Sequence, residues 1–283
     1  MHEQIAAFGG DPSQICLFGQ SAGGASVLTL MSLPEAQGLF ARAIAMSPCL
    51  SHCYTPAESE QRTARFLRCA AVSKQHAERV LTLSDKRLAN TGRHFVAQTA
   101  LTGDTRCAFG PWVDGELIRE MSAVGAARCT APLLIGMVQD EARLFTNMVP
   151  KVLYRSFANT IRRYAATNGL PPFVVEEGEE SFQVRFNRSL TDYMFSDAIR
   201  SFVADYQGPV SQYLYAYETP QMQDAQTGCY HSADLQIVFG WTTKYNDPLS
   251  EDSRRVSSQV RQLFSRFAYG ELDKGQQEIN VIK

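Results

Sequence analysis

A chain of 283 residues, 45% of them hydrophobic, is long enough to bury a substantial core. The net charge of -2 and the mixed charge pattern exclude a basic stripe for a nucleic-acid backbone and a polybasic segment for a membrane surface. No apolar run approaches the ~18 residues of a spanning helix. We therefore expect neither a nucleic-acid partner nor a membrane.

The seven cysteines are an odd number without the regular spacing of a disulfide framework. The first residues form neither the basic nor the apolar region of a signal peptide, so we expect reduced thiols and a cytoplasmic location. Residues 49–53 contain two cysteines and a histidine, a potential zinc-binding set. No second Cys/His pair follows at finger-like spacing, so unpaired thiols are the favoured interpretation, with no metal.

The first predicted elements are a short strand over residues 14–18 and a helix of small residues from 24, joined by Gly-Gln-Ser-Ala-Gly at 19–23. In this strand, turn and helix order the pattern predicts a nucleophile elbow. Its glycines leave room for strand and helix to approach closely, and Ser21 lies at the helix N-terminus, where amide groups stabilise negative charge. The alternative is a glycine turn with an incidental serine.

The remaining predicted elements alternate between apolar strands and long helical stretches. In chain order they are a strand over 39–46, helices over 56–99, a strand over 131–137, helices over 151–206, a strand over 211–218 and an amphipathic helix over 257–270. Strands separated by helices are typical of a parallel sheet in the α/β class.

A serine nucleophile needs a base to accept its proton and a carboxylate to orient that base. In an α/β hydrolase these follow in the order Ser, Asp or Glu, His. Here Asp140 and Glu141 follow the third predicted strand, and spacing alone does not separate them. Among the five histidines, His231 lies in a loop beyond the fourth predicted strand, where such a base is expected.

Two stretches, residues 5–12 and 16–27, closely resemble the signature of the type B carboxylesterases, the family of cholinesterases and bacterial para-nitrobenzyl esterases. Residues 38–47 and 109–115 resemble further segments of that family. The resemblance implies an α/β-hydrolase fold and a serine carboxylic-ester hydrolase that acts on a small-molecule ester through an acyl-enzyme, with no cofactor.

The resemblance also implies roles for individual residues. The family's Asp-Glu-Gly motif is matched at 140–142 and its second acid belongs to the triad, which selects Glu141; His231 matches the family's catalytic histidine. The amide of Ala22, after the nucleophile, is expected to donate to the oxyanion. By the same resemblance, the Ser47 hydroxyl lies near the acid.

Two departures from the family pattern affect the expected site. Ala142 and Ser232 each replace a glycine of the relatives. The change at Ala142 is mild unless its φ is positive, and the change at Ser232 leaves the loop shape open. Exported relatives carry a disulfide whose first half falls near Cys69, and residues 77–81 offer no partner for it, which also favours the cytoplasm.

The sequence contains no His-Gly-Gly, the motif from which this family takes its other oxyanion donors. Because the relatives are nearly twice as long, we expect residues 1–283 to form a partial α/β-hydrolase domain that lacks the N-terminal strands and the oxyanion loop. The strand over 14–18 would then be an edge strand, and an N-terminal half supplied in trans would restore stability and activity. The alternatives are a non-catalytic esterase-like binding module and an inactive remnant.

Overall fold

The computed structural model describes residues 1–240, 250–272, 274–275 and 279–283. Within these residues five parallel strands form one sheet, in which the strands lie side by side in sequence order. They are β1 (Cys16–Gln20), β2 (Arg42–Met46), β3 (Leu133–Val138), β4 (Val210–Tyr215) and β5 (Ile279–Ile282). The parallel arrangement confirms the predicted α/β class.

Helices follow the strands along the chain. Their bounds are α1 (Ala22–Ser32), α2 (Pro56–Ala70), α3 (Asp85–Leu101), α4 (Ser122–Ala127), α5 (Arg143–Thr146), α6 (Tyr154–Thr167), α7 (Phe182–Thr191), α8 (Asp197–Asp205), α9 (Pro220–Ala225), α10 (Ala233–Phe239) and α11 (Glu251–Ala268). None of these helices combines the length and the apolar composition needed to cross a bilayer.

Side chains of the central strands alternate between two apolar layers. Ala43 and Ala45 of β2 pack with residues of α1, α4 and α8, whereas Ile44 and Met46 pack with residues of α10 and α11. A strand that is buried on both faces has no polar side, which explains the continuous apolar runs in the sequence. A third cluster, formed mainly by α6 and α7, encloses Ala142 directly after the predicted acid.

The structure moves several predicted boundaries. The strand predicted over 14–18 runs from Cys16 to Gln20, because Gly19 and Gln20 stay extended and pair with the end of β2. The helical stretch predicted over 56–99 is divided by a 3-10 segment, Lys74–Thr82, into α2 and α3. β5 was not predicted, since its four residues lack both flanking turn signals and a long apolar run.

Among the described strands, β1 lies at one edge of the sheet. Its Phe18 is 41% exposed and contacts the rings of Phe239 and Phe264, with centroid distances of 6.1 and 6.0 Å. An edge strand leaves one row of backbone groups without a partner strand. In the described sheet, β1 is therefore an edge strand, as expected from the sequence.

The turn between β1 and α1 begins at Gly19 and ends at Gly23, and only the first of these positions has no room for a side chain. A Cβ at Gly19 would lie 2.3 Å from the carbonyl oxygen of Gly23, so strand and helix approach too closely for any side chain. A Cβ at Gly23 would meet no atom of the described chain within 4 Å outside its own helical turn and neighbours. The sequence predicted that both glycines are needed for strand and helix to approach closely. In the structure only Gly19 is needed for that reason.

We predict that Gly19→Ala and Gly23→Ala have opposite effects on stability. Gly19→Ala should lower the free energy of unfolding by about 1–3 kcal/mol, because the backbone must open to admit the methyl group. Gly23→Ala should leave it unchanged or raise it by up to about 1 kcal/mol, because alanine favours the helix. Urea denaturation measures both values, and equal losses would contradict the crowding argument.

Candidate active site

Ser21 lies between β1 and α1 in a strained backbone conformation. Its φ of 57° and ψ of -119° are rare for a residue with a side chain, and such strain costs about 1–3 kcal/mol. The conformation is held by two hydrogen bonds: the Ser21 amide donates to the carbonyl of Met46 at 2.9 Å, and the Ala25 amide donates to the carbonyl of Ser21 at 2.9 Å. The elbow is thus fixed to β2 on one side and to α1 on the other.

His231 lies in the loop before α10 and joins two other side chains. Its Nε2 is 2.7 Å from Ser21 Oγ, and its Nδ1 is 2.5 Å from Oε2 of Glu141. With the proton on Nδ1, the ring donates to the carboxylate and accepts from the serine hydroxyl. The structure therefore brings together the three side chains that the sequence singled out.

The two neighbouring acids have different partners. Glu141 is fully buried, and its Oε1 accepts a hydrogen bond from the amide of Val138 at 3.0 Å while Oε2 faces His231. Asp140 instead accepts from the amide of Cys229 at 3.2 Å. Glu141 is thus the acid that reaches the imidazole, a distinction that spacing in the sequence did not make.

Three further side chains surround the imidazole. The rings of Phe145 and Phe195 lie 5.8 and 5.1 Å from that of His231, measured between centroids, and restrict its rotation. Gln20 Nε2 lies 3.3 Å from His231 Nε2, so it competes with Ser21 for the same ring nitrogen. Sequence reasoning missed all three. Gln20 had a signal, because it adjoins the serine, whereas the two phenylalanines have none outside the fold.

The family resemblance also implied supporting roles for Ala22 and Ser47, and the structure shows a suitable position for Ala22 only. Ala22 is the first residue of α1, so its amide belongs to the group at a helix N-terminus that has no acceptor within the helix. Ser47 is fully buried with a φ of 41°, and its Oγ has no hydrogen-bond partner among the residues that the structure describes. Its expected action on the acid is therefore not visible as a hydrogen bond.

Of the two glycine replacements, Ser232 carries the backbone strain. Ala142 has a φ of -65°, an ordinary value at which a Cβ is accommodated, and its amide donates to Thr191 Oγ1 at 3.1 Å. Ser232 has a φ of 73°, in the left-handed region where a side chain costs about 1–2 kcal/mol. In the loop that contains His231, Ser232 therefore adopts the left-handed backbone conformation that glycine adopts without strain.

A further carboxyl group, Asp234, is buried close to these residues. Tyr213 OH donates to its Oδ2 at 3.4 Å, and its Oδ1 has no hydrogen-bond partner in the described chain. Burial raises the pKa of Asp234 to about 7; the negative charge of Glu141 acts in the same direction, and the His231 ring opposes it. No group of three or more potential metal ligands occurs among the described residues.

We predict that Asp234→Asn alters the pH dependence of stability. Between its ordinary pKa of 3.8 and about 7, the folded protein retains a proton that the unfolded chain releases, so the wild type loses stability as pH rises. Without the carboxyl this loss disappears, so the free energy of unfolding of the variant minus that of the wild type should rise with pH up to about 7, by at most about 1.4 kcal/mol per pH unit.

Urea unfolding at several pH values in this range measures that difference. Asp224→Asn, at an exposed acid on α9, serves as the matched control and should leave the pH dependence of the wild type in place. A constant difference between Asp234→Asn and the wild type across the range would contradict the expectation.

Comparison with known proteins identifies relatives of the whole chain. The para-nitrobenzyl esterase of Bacillus subtilis (strain 168) is 25% identical over 244 residues, which cover 85% of this chain and 49% of that protein. The cholinesterase of Mus musculus is 28% identical over 302 residues, which cover 94% of this chain and 48% of that protein. The chain thus spans about half the length of the curated relatives it matches.

A solved carboxylesterase structure shows that the similarity extends to the fold. The crystal structure of the carboxylesterase EST55 of Geobacillus stearothermophilus superposes with a TM-score of 0.75 at 27% identity, covering 98% of this chain and 58% of that one. The family model described as "Carboxylesterase family" matches residues 1–280. With that match over almost its full length, this chain belongs to the carboxylesterase family, and its sheet and helices are part of an α/β-hydrolase fold.

Proposed function

We propose that this chain carries the catalytic triad of a serine carboxylic-ester hydrolase, formed by Ser21, His231 and Glu141. The observation that supports this most directly is the continuous line of hydrogen bonds from the serine hydroxyl through both ring nitrogens to the carboxylate, with distances of 2.7 and 2.5 Å. That line is the one a serine nucleophile requires.

In the proposed first half-reaction, Ser21 Oγ attacks the acyl carbon of the ester while its proton passes to His231 Nε2. Glu141 accepts the Nδ1 hydrogen bond throughout and stabilises the imidazolium that forms. His231 then donates the proton to the departing alcohol oxygen, leaving an acyl group on Ser21. In the second half-reaction, the same ring accepts a proton from water, which attacks the acyl carbon. The ring then returns that proton to Ser21 Oγ as the bond from Oγ to the acyl carbon breaks and the acid leaves.

The oxyanion of both tetrahedral intermediates is proposed to accept a hydrogen bond from the amide of Ala22. The position of this residue at the start of α1 supports the assignment, since the N-terminal end of a helix favours negative charge. The sequence contains no His-Gly-Gly. We propose that the remaining oxyanion donors come from a polypeptide segment outside residues 1–283 that packs against β1.

The proposed substrate is a small carboxylic ester. Support comes from the names of the relatives, among them an esterase of para-nitrobenzyl esters and a cholinesterase. The seven cysteines form no disulfide among the described residues, which supports the further proposal that the protein works in a reducing cytoplasm.

The competing proposals are a non-catalytic binding module and an inactive remnant. Neither role needs Ser21 in a strained conformation or a carboxylate buried behind His231. Both features cost stability, and both are what a nucleophile and its oriented base require. The catalytic proposal is therefore the better supported.

A fluorophosphonate probe separates these proposals, because it forms a covalent bond with a serine whose hydroxyl is activated by a base. We predict that the wild type is labelled at Ser21, as read by mass spectrometry, and that Ser21→Ala is not. A folded wild type that stays unlabelled would support a binding module or a remnant instead.

Glu141→Gln and Asp140→Asn form a matched pair at adjacent positions. We predict that Glu141→Gln lowers the labelling rate and the turnover of para-nitrophenyl acetate by about 10²–10⁴-fold, because the amide disfavours the required tautomer of His231. Asp140→Asn should retain close to wild-type rates, because Asp140 bonds to the Cys229 amide rather than to the ring. Equal losses in both variants would contradict the assignment.

The proposal about the additional donors predicts that the chain alone is slow. Loss of one oxyanion donor costs about 10²–10³-fold in rate, so co-expression with the N-terminal half of a relative should raise kcat by a factor in that range. Ser21→Ala in the same complex is the control for background hydrolysis. Full activity of the chain alone would show that its own residues complete the oxyanion site.

A further inference from the structure

Two cysteines that the proposed hydrolysis does not use face each other beside the candidate active site. Cys49 follows β2 and is buried, and Cys107 lies in the loop after α3 and is partly exposed. Their Sγ atoms are 3.4 Å apart, although the two residues are 58 positions apart in the chain. A disulfide has an S–S distance of about 2.05 Å, so the sulfur atoms need to approach by little more than about 1 Å.

The backbone on both sides of this pair is held in place. The Tyr54 amide donates to the carbonyl of Pro111 at 3.0 Å, and the Val113 amide donates to the carbonyl of Tyr54 at 2.9 Å. Arg62 Nη1 donates to the carbonyl of Cys107 at 3.1 Å. These bonds fix the two segments side by side close to the pair.

The surroundings make the two thiols chemically unequal. The contact with Cys49 Sγ and, to a smaller extent, the neighbouring His52 side chain lower the pKa of Cys107 to about 5. The hydrogen bond to Cys107, together with burial, raises the pKa of Cys49. The pKa values of the two thiols therefore shift in opposite directions, and the partly exposed Cys107 is the one that favours the thiolate form. Thiolates are the nucleophilic form of cysteine.

We propose that Cys49 and Cys107 form a redox-active dithiol that peroxides oxidise reversibly to a disulfide. The proposal rests on the facing sulfur atoms, the fixed backbone of both segments and the adjacent imidazole of His52. It is independent of the proposed ester hydrolysis, because its readout is a covalent bond between the two cysteines.

The reaction proceeds in two steps, with hydrogen peroxide as the oxidant. The Cys107 thiolate attacks one peroxide oxygen and breaks the O–O bond, which gives a sulfenic acid and a hydroxide that takes up a proton to become water. The sulfur of Cys49 then attacks the sulfenic sulfur of Cys107 and the S–O bond breaks. The proton of the Cys49 thiol passes to the departing hydroxide, which leaves as water. Overall, two thiols lose two hydrogens and the peroxide becomes two waters.

The test is peroxide treatment of the intact chain, followed by alkylation of remaining thiols, trypsin digestion without reductant and mass spectrometry. Cleavage after arginine places Cys49 on a peptide of residues 43–62 and Cys107 on a peptide of residues 107–119. We expect these two peptides to become cross-linked and to separate again on treatment with dithiothreitol. Cys49→Ser and Cys107→Ser should each abolish the cross-link.

Cys53→Ser is the matched control, because Cys53 is a buried cysteine on the same tryptic peptide as Cys49. It should cross-link like the wild type. His52→Gln should slow cross-linking roughly tenfold, because the imidazole no longer favours the Cys107 thiolate.

Three results would overturn the proposal. One is a cross-link that passes through Cys53 and disappears in Cys53→Ser. Another is oxidation of Cys107 to sulfinic acid with no cross-linked peptide. The third is oxidation of Cys107 no faster than that of Cys69, a partly exposed cysteine on α2. All three are read on the folded wild type or on the control variant, so they do not depend on the folding of Cys49→Ser or Cys107→Ser.

Discussion

The hydrogen bond between Glu141 and His231 connects the parts of this protein that the candidate site needs. Glu141 follows β3 and is also held by the amide of Val138, while His231 precedes α10 and continues the line to Ser21 after β1. A buried carboxylate is stable only when its oxygens are hydrogen-bonded, and here each oxygen has a partner. The carboxyl group of Glu141 therefore joins its own segment to that of His231, and the His231 ring joins both to Ser21.

The parallel sheet explains why these segments meet. In an open α/β sheet, the loops at the carboxyl ends of the strands lie at the same edge, and sites form there. Ser21 follows β1 and Glu141 follows β3, with β2 between them. The strained elbow at Ser21 is tied to β2 through the Met46 carbonyl, so the position of the nucleophile depends directly on the pairing of β1 with β2.

The region around the triad contains more ionisable groups than the triad itself uses. Asp234 is buried near Glu141, and its raised pKa reflects the difficulty of placing a second negative charge there. The pKa of Cys107 shifts in the opposite direction, chiefly because of its contact with Cys49 Sγ. The same region thus raises the pKa of one acid and lowers the pKa of one thiol, according to the groups that each one contacts.

The sequence by itself determined the class of the fold, the turn at Ser21 and the chain order of the serine, the acids and the histidine, because hydrophobic runs, glycine turns and chain order are local properties. It did not distinguish Asp140 from Glu141 by spacing, and it did not indicate β5, the rings of Phe145 and Phe195 beside His231, or the facing thiols of Cys49 and Cys107. Only the tertiary structure decided these, since each depends on segments far apart in the chain that packing brings together. The backbone angles of Ala142 and Ser232 belong to the same group: both replace glycine in the sequence, and only the fold shows that the strain falls on Ser232.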